Sequence, residues 1–325
     1  MTTRQRGGSV NRERLMADLR AMWRIRAFED KAQALCGSGD IRGSVHLCTG
    51  QEAGPVGACD ALDGTDALYS TYRGHGWAIA RGTPLRPLMA ELLGRATGVN
   101  GGRGGSAHFS APEYGFHGEN SIVGAGAPIA VGAALAGRFD GTGRIAVTVF
   151  GDGAMNQGSV HEAMNFAAAY RLPVLFLCEN NRWSEMTQIS ETVRNPTLTD
   201  RPKALGMTSV RIDGTDPERV RETVGDLAEA AREGGGPAFV ELTTTRLVGH
   251  YVGDVQHYRS REDIAADEAN EPIGRAVREL TAAGVPAEEI ERAESSARAE
   301  VEEAAQAALA DPPVDTARVR EHLYA

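Results

Sequence analysis

The sequence predicts an α/β fold built on a parallel sheet with helices on both faces. Three short apolar runs, at 145–150, 174–178 and 238–243, contain almost no polar residues. Runs without alternation are typical of strands that are buried on both faces. Helical patterns at about 156–170 and 217–232 separate these runs, and strands that alternate with helices indicate a parallel sheet.

The rest of the chain supplies further elements. Asn11 is expected to cap a helix that runs to about residue 36 and stops at Gly37 and Gly39. A second helix is predicted over 85–93, and a fourth strand near 208–212.

Three segments carry more specific expectations. The Gly-rich stretch GVNGGRGGSAHFS (98–110) must be a loop that either is mobile or lets backbone approach another group closely. Residues 121–139 consist mostly of Gly, Ala, Val and Ile, which predicts a helix that is buried on all sides. The C-terminal stretch is predicted to be a long charged helix with an apolar stripe through Ile290 and Val301 and a solvated opposite face.

Composition limits the class of protein. The 325 residues are divided into a flexible arm over 1–10 and a single domain over 11–325, since no repeat or linker is present. The net charge of −10 argues against a nucleic-acid surface, which needs clustered Lys and Arg. No run of about 18 apolar residues occurs, so we expect no membrane span. Four Cys without a C-x-x-C pair and the lack of a signal-like segment predict a cytoplasmic protein with reduced thiols.

Polar side chains follow two of the predicted strands. Asp152 comes directly after the first strand, and Asn181 follows the next one. The carboxyl ends of parallel strands meet at one edge of a sheet, which is where ligands bind in open α/β folds. Carboxylate and amide oxygens suit Mg²⁺ or Ca²⁺, and the glycines beside Asp152 let backbone N–H groups approach an anion. The pattern therefore predicts a divalent cation beside a diphosphate. The alternative, a hairpin turn at Asp-Gly, requires a strand where the pattern is helical.

The combination of GDGAMNQG (151–158) and ENNRW (179–183) resembles the thiamine-diphosphate fingerprint. The sequence around these motifs is similar to that of the alpha chains of two-chain 2-oxo acid dehydrogenases, among them pyruvate and acetoin dehydrogenases. The similarity extends over nearly the whole chain, through HLCTGQEA (46–53), STYRGHGWAIARG (70–82), GRGGSAHF (102–109) and GHYVGD (249–254). It implies the diphosphate-binding half of a thiamine-diphosphate-binding fold.

The resemblance also implies residue roles. Asp152, Asn181 and the backbone carbonyl of Trp183, where the family often has Tyr, would bind Mg²⁺. The residues expected to contact thiamine diphosphate are Tyr72, Arg73, Ala111, Ser121, Val123, Gly151, Asp152, Gly153, Ala154, Asn181 and His250. Ser121 departs from the Gly of many relatives. Arg73 is expected to be a charge-assisted phosphate donor.

Three histidines are candidate catalytic residues by the same resemblance: His46, His75 and His250. For each of them a purely structural role is the alternative. His250 lies in a polar loop with no core role, which favours catalysis or a phosphate contact, and it is the best candidate of this chain for the acyl-transfer step.

The resemblance to these alpha chains also implies partner proteins. A separate beta chain would supply the activating Glu, the site would form in an α₂β₂ heterotetramer, and the acyl unit would pass to the lipoyl group of an acyltransferase. This chain alone is then expected to be inert. Two alternatives stay open: transfer of a two-carbon ketol or acyl unit to a carrier protein, and a non-catalytic Mg-phosphate-binding partner chain. The sequence does not distinguish pyruvate-like 2-oxo acids from acetoin as the small-molecule substrate.

Overall fold

The computed structural model describes residues 11–322, so the arm predicted over residues 1–10 lies outside the described residues. The strands within these described residues are β1 (Ala67–Thr71), β2 (Phe116–Asn120), β3 (Ala146–Gly151), β4 (Val174–Asn180), β5 (Trp183–Ser184), β6 (Thr187–Gln188), β7 (Thr208–Asp213) and β8 (Ala238–Thr243). Six of them form one sheet in the order β2-β1-β3-β4-β8-β7, with every neighbouring pair parallel. β5 and β6 form a separate small antiparallel hairpin.

The α-helices connect and cover these strands. They are α1 (Arg12–Ser38), α2 (Ala53–Asp60), α3 (His75–Ala80), α4 (Leu85–Leu92), α5 (Gly126–Asp140), α6 (Gly158–Tyr170), α7 (Ile189–Thr192), α8 (Asp200–Ala204), α9 (Pro217–Ala230), α10 (Arg261–Ala269), α11 (Pro272–Ala282) and α12 (Ala287–Ala310).

The sheet has a hydrophobic core on each face. Val147 and Leu175 belong to the larger core, against helices that include α1, α2, α4 and α12. Phe150 and Phe176 point the other way, into a smaller core formed with α5 and α6. Successive strand residues alternate between the faces, and both faces are covered. This confirms the predicted α/β architecture.

The predicted elements lie close to their expected positions. The side chain of Asn11 accepts a hydrogen bond from the backbone N–H of Arg14, and Gly39 ends α1 in the left-handed conformation. The sequence pattern did not predict β1 and β2, whose segments ALYST and FHGEN mix apolar and polar residues. β1 is nevertheless central, because it pairs with both β2 and β3.

The Gly-rich loop over 98–110 wraps the buried carboxylate of Glu91 at the end of α4. Its two oxygens accept four hydrogen bonds, from the backbone N–H groups of Asn100, Gly102, Gly104 and Gly105, at 2.6–3.2 Å. Glycine is needed at position 102, where φ is +74° and a Cβ would lie 2.5 Å from a neighbouring carbonyl oxygen. Of the two expectations for this loop, close approach to another group is therefore the one observed.

Helix α5 differs from its prediction. It begins only at Gly126, and it is not buried on all sides: Ile129 is 47% exposed and Phe139 is 84% exposed. Ala127 and Ala130 lie on the opposite face of α5 and pack against the smaller core. Nothing between residues 11 and 322 covers the exposed face of the helix. The exposed apolar side chains of this segment, here called the α5 patch, are Ile122, Val123, Ile129 and Phe139.

The C-terminal helix α12 buries Ile290 and Val301 as predicted. Its charged face is not only solvated, because Glu300 pairs with Arg24 and Glu302 pairs with Lys31 on α1. Within residues 11–322, no helix combines the length and apolar character needed to span a bilayer.

Candidate active site

A cavity of about 310 Å³ opens at the carboxyl ends of β1, β3 and β4. Its walls come from these strand ends, from the α5 patch and from the loops that carry His46 and His250. The lining residues are His46, Gln51, Thr71, Tyr72, Arg73, Ser121, Val123, Gly151, Asp152, Gly153, Ala154, Glu179, Asn181, Trp183, Ser184, Glu185 and His250. Twelve of these are among the predicted site residues.

Asp152 is a buried carboxylate without a hydrogen-bond partner. It follows β3 directly, is 1% exposed, and neither of its oxygens has a donor within hydrogen-bonding geometry. Burial raises the pKa of Asp152 to about 7, and this outweighs the opposing effects of nearby backbone N–H groups and of the positive charge on Arg246. An isolated buried carboxylate is costly, so a bound cation is the simplest compensation.

Asn181 faces the same cavity from the end of the neighbouring strand. The pairing of Gly151 with Glu179 brings the carboxyl ends of β3 and β4 side by side. The Oδ1 atom of Asn181 accepts a hydrogen bond from the backbone N–H of Trp183 at 3.0 Å, and its Nδ2 donates to Gln51 at 2.9 Å. The amide oxygen keeps a second lone pair that can serve a cation.

The backbone after Asp152 forms a 3₁₀ turn over Asp152–Asn156, and α6 starts two residues later. Gly153 lies against Ser184: a Cβ on Gly153 would contact the hydroxyl of Ser184 and come 2.7 Å from its Cβ. Only glycine therefore leaves space between this turn and the hairpin. Backbone N–H groups at such a turn suit a phosphate group.

His46, Tyr72 and His250 form an aromatic cluster at one side of the cavity. The ring centroid of His46 lies 4.5 Å from that of Tyr72 and 4.9 Å from that of His250. Burial, together with the nearby charge of Arg73, lowers the pKa of His46 to about 3 and that of His250 to about 4. Both rings are thus neutral at pH 7, and a neutral imidazole carries one donor and one acceptor.

Arg73 is held rigidly in the wall. One terminal nitrogen of its guanidinium donates to the carbonyl of Leu47 at 2.5 Å and the other donates to the carbonyl of His250 at 2.9 Å. It therefore ties the histidine loops together while placing a permanent positive charge beside the cavity.

Two predicted site residues do not line the cavity. His75 is fully buried, with Nδ1 2.8 Å from Glu29 and Nε2 3.0 Å from the hydroxyl of Ser106. Ala111 is also buried, in a backbone bridge with Phe116. Any part that these residues play in catalysis or cofactor binding stays a prediction.

Sequence reasoning missed several lining groups. Gln51 lies 130 positions from Asn181 in the chain, and its only signal was its place in the HLCTGQEA segment. Glu179 opens the ENNRW segment, but the sequence pattern gives it no role of its own; burial raises its pKa to about 7, against the opposing effect of Gln51 and of the indole N–H of Trp77, which donates to it at 3.3 Å. Arg246 is fully buried and does not line the cavity, but its charge acts on Asp152; no sequence motif pointed to it.

The donor set fits a hard cation that is shared with an anionic ligand. Within residues 11–322 there is no group of three or more His, Cys, Asp or Glu side chains arranged to hold a metal. A cation at Asp152 would thus depend on amide and carbonyl oxygens and on oxygens from a ligand, a coordination typical of Mg²⁺ bound with phosphates. The residues present fit a magnesium diphosphate.

Comparison with known proteins gives the family. The profile of the family described as "Dehydrogenase E1 component" matches residues 20–316. The chain belongs to this family.

Curated relatives agree over nearly the whole chain. The chain is 41% identical over 308 residues to the alpha subunit of an acetoin:2,6-dichlorophenolindophenol oxidoreductase from Cupriavidus necator, covering 93% of this chain and 92% of the relative. It is 39% identical to the pyruvate dehydrogenase E1 alpha subunit of Zymomonas mobilis, covering 94% and 87%. It is 37% identical to the human mitochondrial pyruvate dehydrogenase E1 alpha subunit, covering 97% and 80%. Membership of the family implies thiamine diphosphate as the cofactor.

Proposed function

We propose that this chain is the alpha subunit of a thiamine-diphosphate- and Mg²⁺-dependent dehydrogenase that acts on a 2-oxo acid or on acetoin. With a beta chain it would cleave its substrate and pass the acyl unit to a lipoyl group on an acyltransferase. The observation that carries this proposal is the buried, unpartnered carboxylate of Asp152, opposite Asn181 at the end of the next strand.

Each group in the cavity has a role in this proposal. Asp152, the Oδ1 atom of Asn181 and the carbonyl of Trp183 would hold Mg²⁺, and the turn at Gly153 would receive the diphosphate. When bound, thiamine diphosphate supplies an electron sink for cleavage next to a carbonyl group. Arg73 would attract the anionic ligand.

The neutral histidines would handle protons near the substrate. His46 and His250 each have an Nδ1 atom that is buried and lacks a hydrogen-bond partner. A neutral imidazole can accept a proton at one nitrogen and donate from the other, which suits general acid–base steps. His250 is the proposed participant in acyl transfer, since it lies in a polar loop and lines the cavity.

The α5 patch supports a second chain at this site. Ser121 and Val123 line the cavity, and Ile122, 72% exposed, lies between them in the sequence. The patch therefore begins at the cavity and continues along α5. Exposed apolar surface next to a site marks an interaction surface, and a beta chain docked there would complete the site with its activating Glu. We propose the assembly to be α₂β₂.

We also propose that the protein is cytoplasmic. Cys36, Cys48, Cys59 and Cys178 are all unpaired, as is usual in the reducing cytoplasm.

The test is cleavage coupled to 2,6-dichlorophenolindophenol reduction with thiamine diphosphate and Mg²⁺. Pyruvate, branched 2-oxo acids, acetoin and a ketose phosphate are each assayed with the chain alone and with the beta chain from the adjacent gene. We expect activity only with both chains and only with the intact Asp152 carboxylate. Turnover by the chain alone would contradict the split site. Activity only with the ketose phosphate would favour ketol transfer, and no activity on the whole panel would favour a non-catalytic role.

A further inference from the structure

We propose that Ser121, oriented by His108, accepts a hydrogen bond from a hydroxyl group of the substrate and so favours 2-hydroxy ketones over 2-oxo acids. Ser121 is then a specificity-determining residue, and His108 is a positioning residue that acts through it. This role rests on the proposed function, since the two substrate classes that it separates are those between which the proposed dehydrogenase has to choose.

Ser121 and His108 form a hydrogen-bonded pair at the wall of the cavity. Ser121 follows β2 and lines the cavity, whereas His108 belongs to the Gly-rich loop and lies outside the lining. The Oγ atom of Ser121 lies 3.1 Å from Nε2 of His108. The serine therefore stands between the imidazole and any ligand on this side of the cavity.

The direction of this hydrogen bond is set on the other side of the imidazole. Nδ1 of His108 lies 3.1 Å from the backbone carbonyl of Gly104. A carbonyl oxygen only accepts hydrogen bonds, so Nδ1 must carry the proton that makes this one. In the neutral imidazole Nε2 is then an acceptor, and the hydroxyl of Ser121 donates to it. Because the only hydroxyl proton of Ser121 is engaged in this way, its oxygen can offer a ligand lone pairs alone.

The backbone on both sides of His108 is held by buried carboxyl groups. The N–H of Gly104 donates to Glu91 at 2.6 Å, and the N–H of Phe109 donates to Glu119 at 2.8 Å. Both glutamates are buried. The imidazole of His108 is exposed, but the segment that carries it is thus fixed before a ligand binds, as a group that selects between ligands has to be.

The two substrate classes differ in what they can offer to an acceptor. Both carry a ketone group, but its neighbour is a hydroxyl in a 2-hydroxy ketone and a carboxylate in a 2-oxo acid. A hydroxyl can donate to Ser121, whereas a carboxylate only accepts. A carboxylate at this place would set its lone pairs against those of Ser121, unless the serine gave up its hydrogen bond to His108. A site that is built to pair with a hydroxyl discriminates against a ligand without one.

The first test compares acetoin with pyruvate in the complex of this chain with the beta chain, thiamine diphosphate and Mg²⁺. We expect the wild type to have the higher kcat/KM for acetoin. Ser121→Ala should lower the ratio of kcat/KM for acetoin to that for pyruvate about tenfold, which corresponds to one hydrogen bond. The value for pyruvate itself should stay within about threefold of wild type. Ser110→Ala is the matched control, because the hydroxyl of Ser110 donates to the carbonyl of His117 and does not line the cavity. It should leave the ratio unchanged.

The second test asks whether His108 acts through Ser121. In His108→Ala the serine hydroxyl is free to donate to a carboxylate, so the ratio for acetoin over pyruvate should fall at least about threefold. The same change made in Ser121→Ala should alter the ratio by less than about twofold, since no hydroxyl is left to orient. An equal fall in both backgrounds would show that His108 only supports the loop, and it would overturn its positioning role.

The third test does not depend on turnover. Long-range proton–nitrogen NMR correlations of the full chain with ¹⁵N-labelled histidine, recorded at about pH 8, report which ring nitrogen carries the proton. His108→Ala identifies the signals by their loss. We expect Nδ1 of His108 to be protonated and Nε2 to be bare. The opposite tautomer as the main form would make Ser121 the acceptor from His108 and would overturn the proposal.

These outcomes separate the role of Ser121 from the proposed function. No turnover of either substrate by the complex would contradict the proposed function, and the role of Ser121 with it. A wild-type complex that prefers pyruvate would leave the dehydrogenase intact and overturn only the role of Ser121. An equal loss of acetoin and pyruvate turnover in Ser121→Ala would overturn it as well, since it would point to a contact with the cofactor that both substrates share.

Discussion

The Nδ1 atom of His75 lies 2.8 Å from Oε2 of Glu29, and both side chains are fully buried. Glu29 raises the pKa of His75 against the opposing effect of burial, and His75 lowers the pKa of Glu29 against the same effect. A further hydrogen bond, from the Cys48 backbone N–H to Glu29 at 2.8 Å, helps to hold the pair. The two side chains form a charged pair inside the larger core.

This pair predicts a defined pH dependence of stability. The Glu29 contribution is present above its unfolded pKa of 4.5 and is lost as the pH falls through the lower, folded value. The His75 contribution is complete below its unfolded pKa of 6.5 and is lost as the pH rises through the higher, folded value. The pair should therefore stabilise the fold most between about pH 4.5 and 6.5.

His75→Gln tests the pair, because it leaves Glu29 buried without a cation. We expect the free energy of unfolding in urea to fall by about 3 kcal/mol or more at pH 6. The difference from wild type should become smaller at pH 9. His257→Gln, in an exposed loop, is the control and should change little. A difference from wild type that is the same at both pH values would contradict the assignment.

Asp152→Asn should have opposite effects on stability and activity. In the cofactor-free chain it removes a buried charge that lacks a partner, so we expect the free energy of unfolding to rise by about 1–3 kcal/mol. With the beta chain present, turnover should fall by more than about 100-fold, since the proposed cation would lose its carboxylate ligand. Thermal unfolding and the dye-reduction assay measure the two effects. Asp226→Asn, on the exposed side of α9, should alter neither; a destabilised Asp152→Asn chain would contradict the cation site.

Glu91→Gln should release the Gly-rich loop. The amide keeps one acceptor oxygen and places an NH₂ group against backbone donors, so about half of the four bonds are lost and donors face donors. Arg103 at the exposed tip of the loop is a trypsin site. We expect cleavage there to become at least about tenfold faster. Glu113→Gln, an exposed change close to the same region, is the control. Equal cleavage rates in the two variants would show that Glu91 does not hold the loop.

His250→Ala should separate cleavage from acyl transfer. If His250 serves the transfer step, dye reduction with the beta chain should stay within about tenfold of wild type, while transfer to a lipoyl acceptor falls by about 100-fold or more. His257→Ala, in the same loop and exposed, should leave both rates unchanged. A parallel loss of both rates would instead place His250 in the cleavage step.

Ile129→Glu should prevent assembly with the beta chain. It puts a charge in the middle of the α5 patch, where Ile129 is 47% exposed, and burying an unpaired charge in an interface is costly. Size-exclusion chromatography of the co-expressed chains should give separate alpha and beta species. Ala282→Glu, at the exposed end of α11, should assemble normally. A normal complex from Ile129→Glu would exclude the α5 patch as the beta-chain surface.

Part of this fold could be predicted because some strands and helix ends are marked by short stretches of neighbouring residues in the sequence. The unbroken apolar runs of β3 and β4 marked buried parallel strands, and parallel strands necessarily bring Asp152 and Asn181 to one edge. The sequence pattern also identified the cap at Asn11 correctly.

The other features depend on contacts between segments that are distant in the chain. Such contacts produce no periodic pattern of apolar residues in the sequence. Gln51 reaches Asn181 across 130 positions, and Glu29 reaches His75 across 46. The burial of α5 was overestimated for a related reason: small apolar residues show that a helix packs closely, but not whether its second partner belongs to the same chain.

The carboxylate of Glu91 makes several positions of the Gly-rich loop depend on one side chain. A Cβ on Gly98 would collide with that carboxylate and with the Glu91 backbone, and one on Gly104 would come 3.3 Å from the carboxylate. Substitutions in this loop are therefore not independent in evolution. A lineage that loses the acid loses the four hydrogen bonds that hold the loop in the conformation requiring these glycines, so Glu91 and the glycines should be kept or lost together among descendants of a common ancestor.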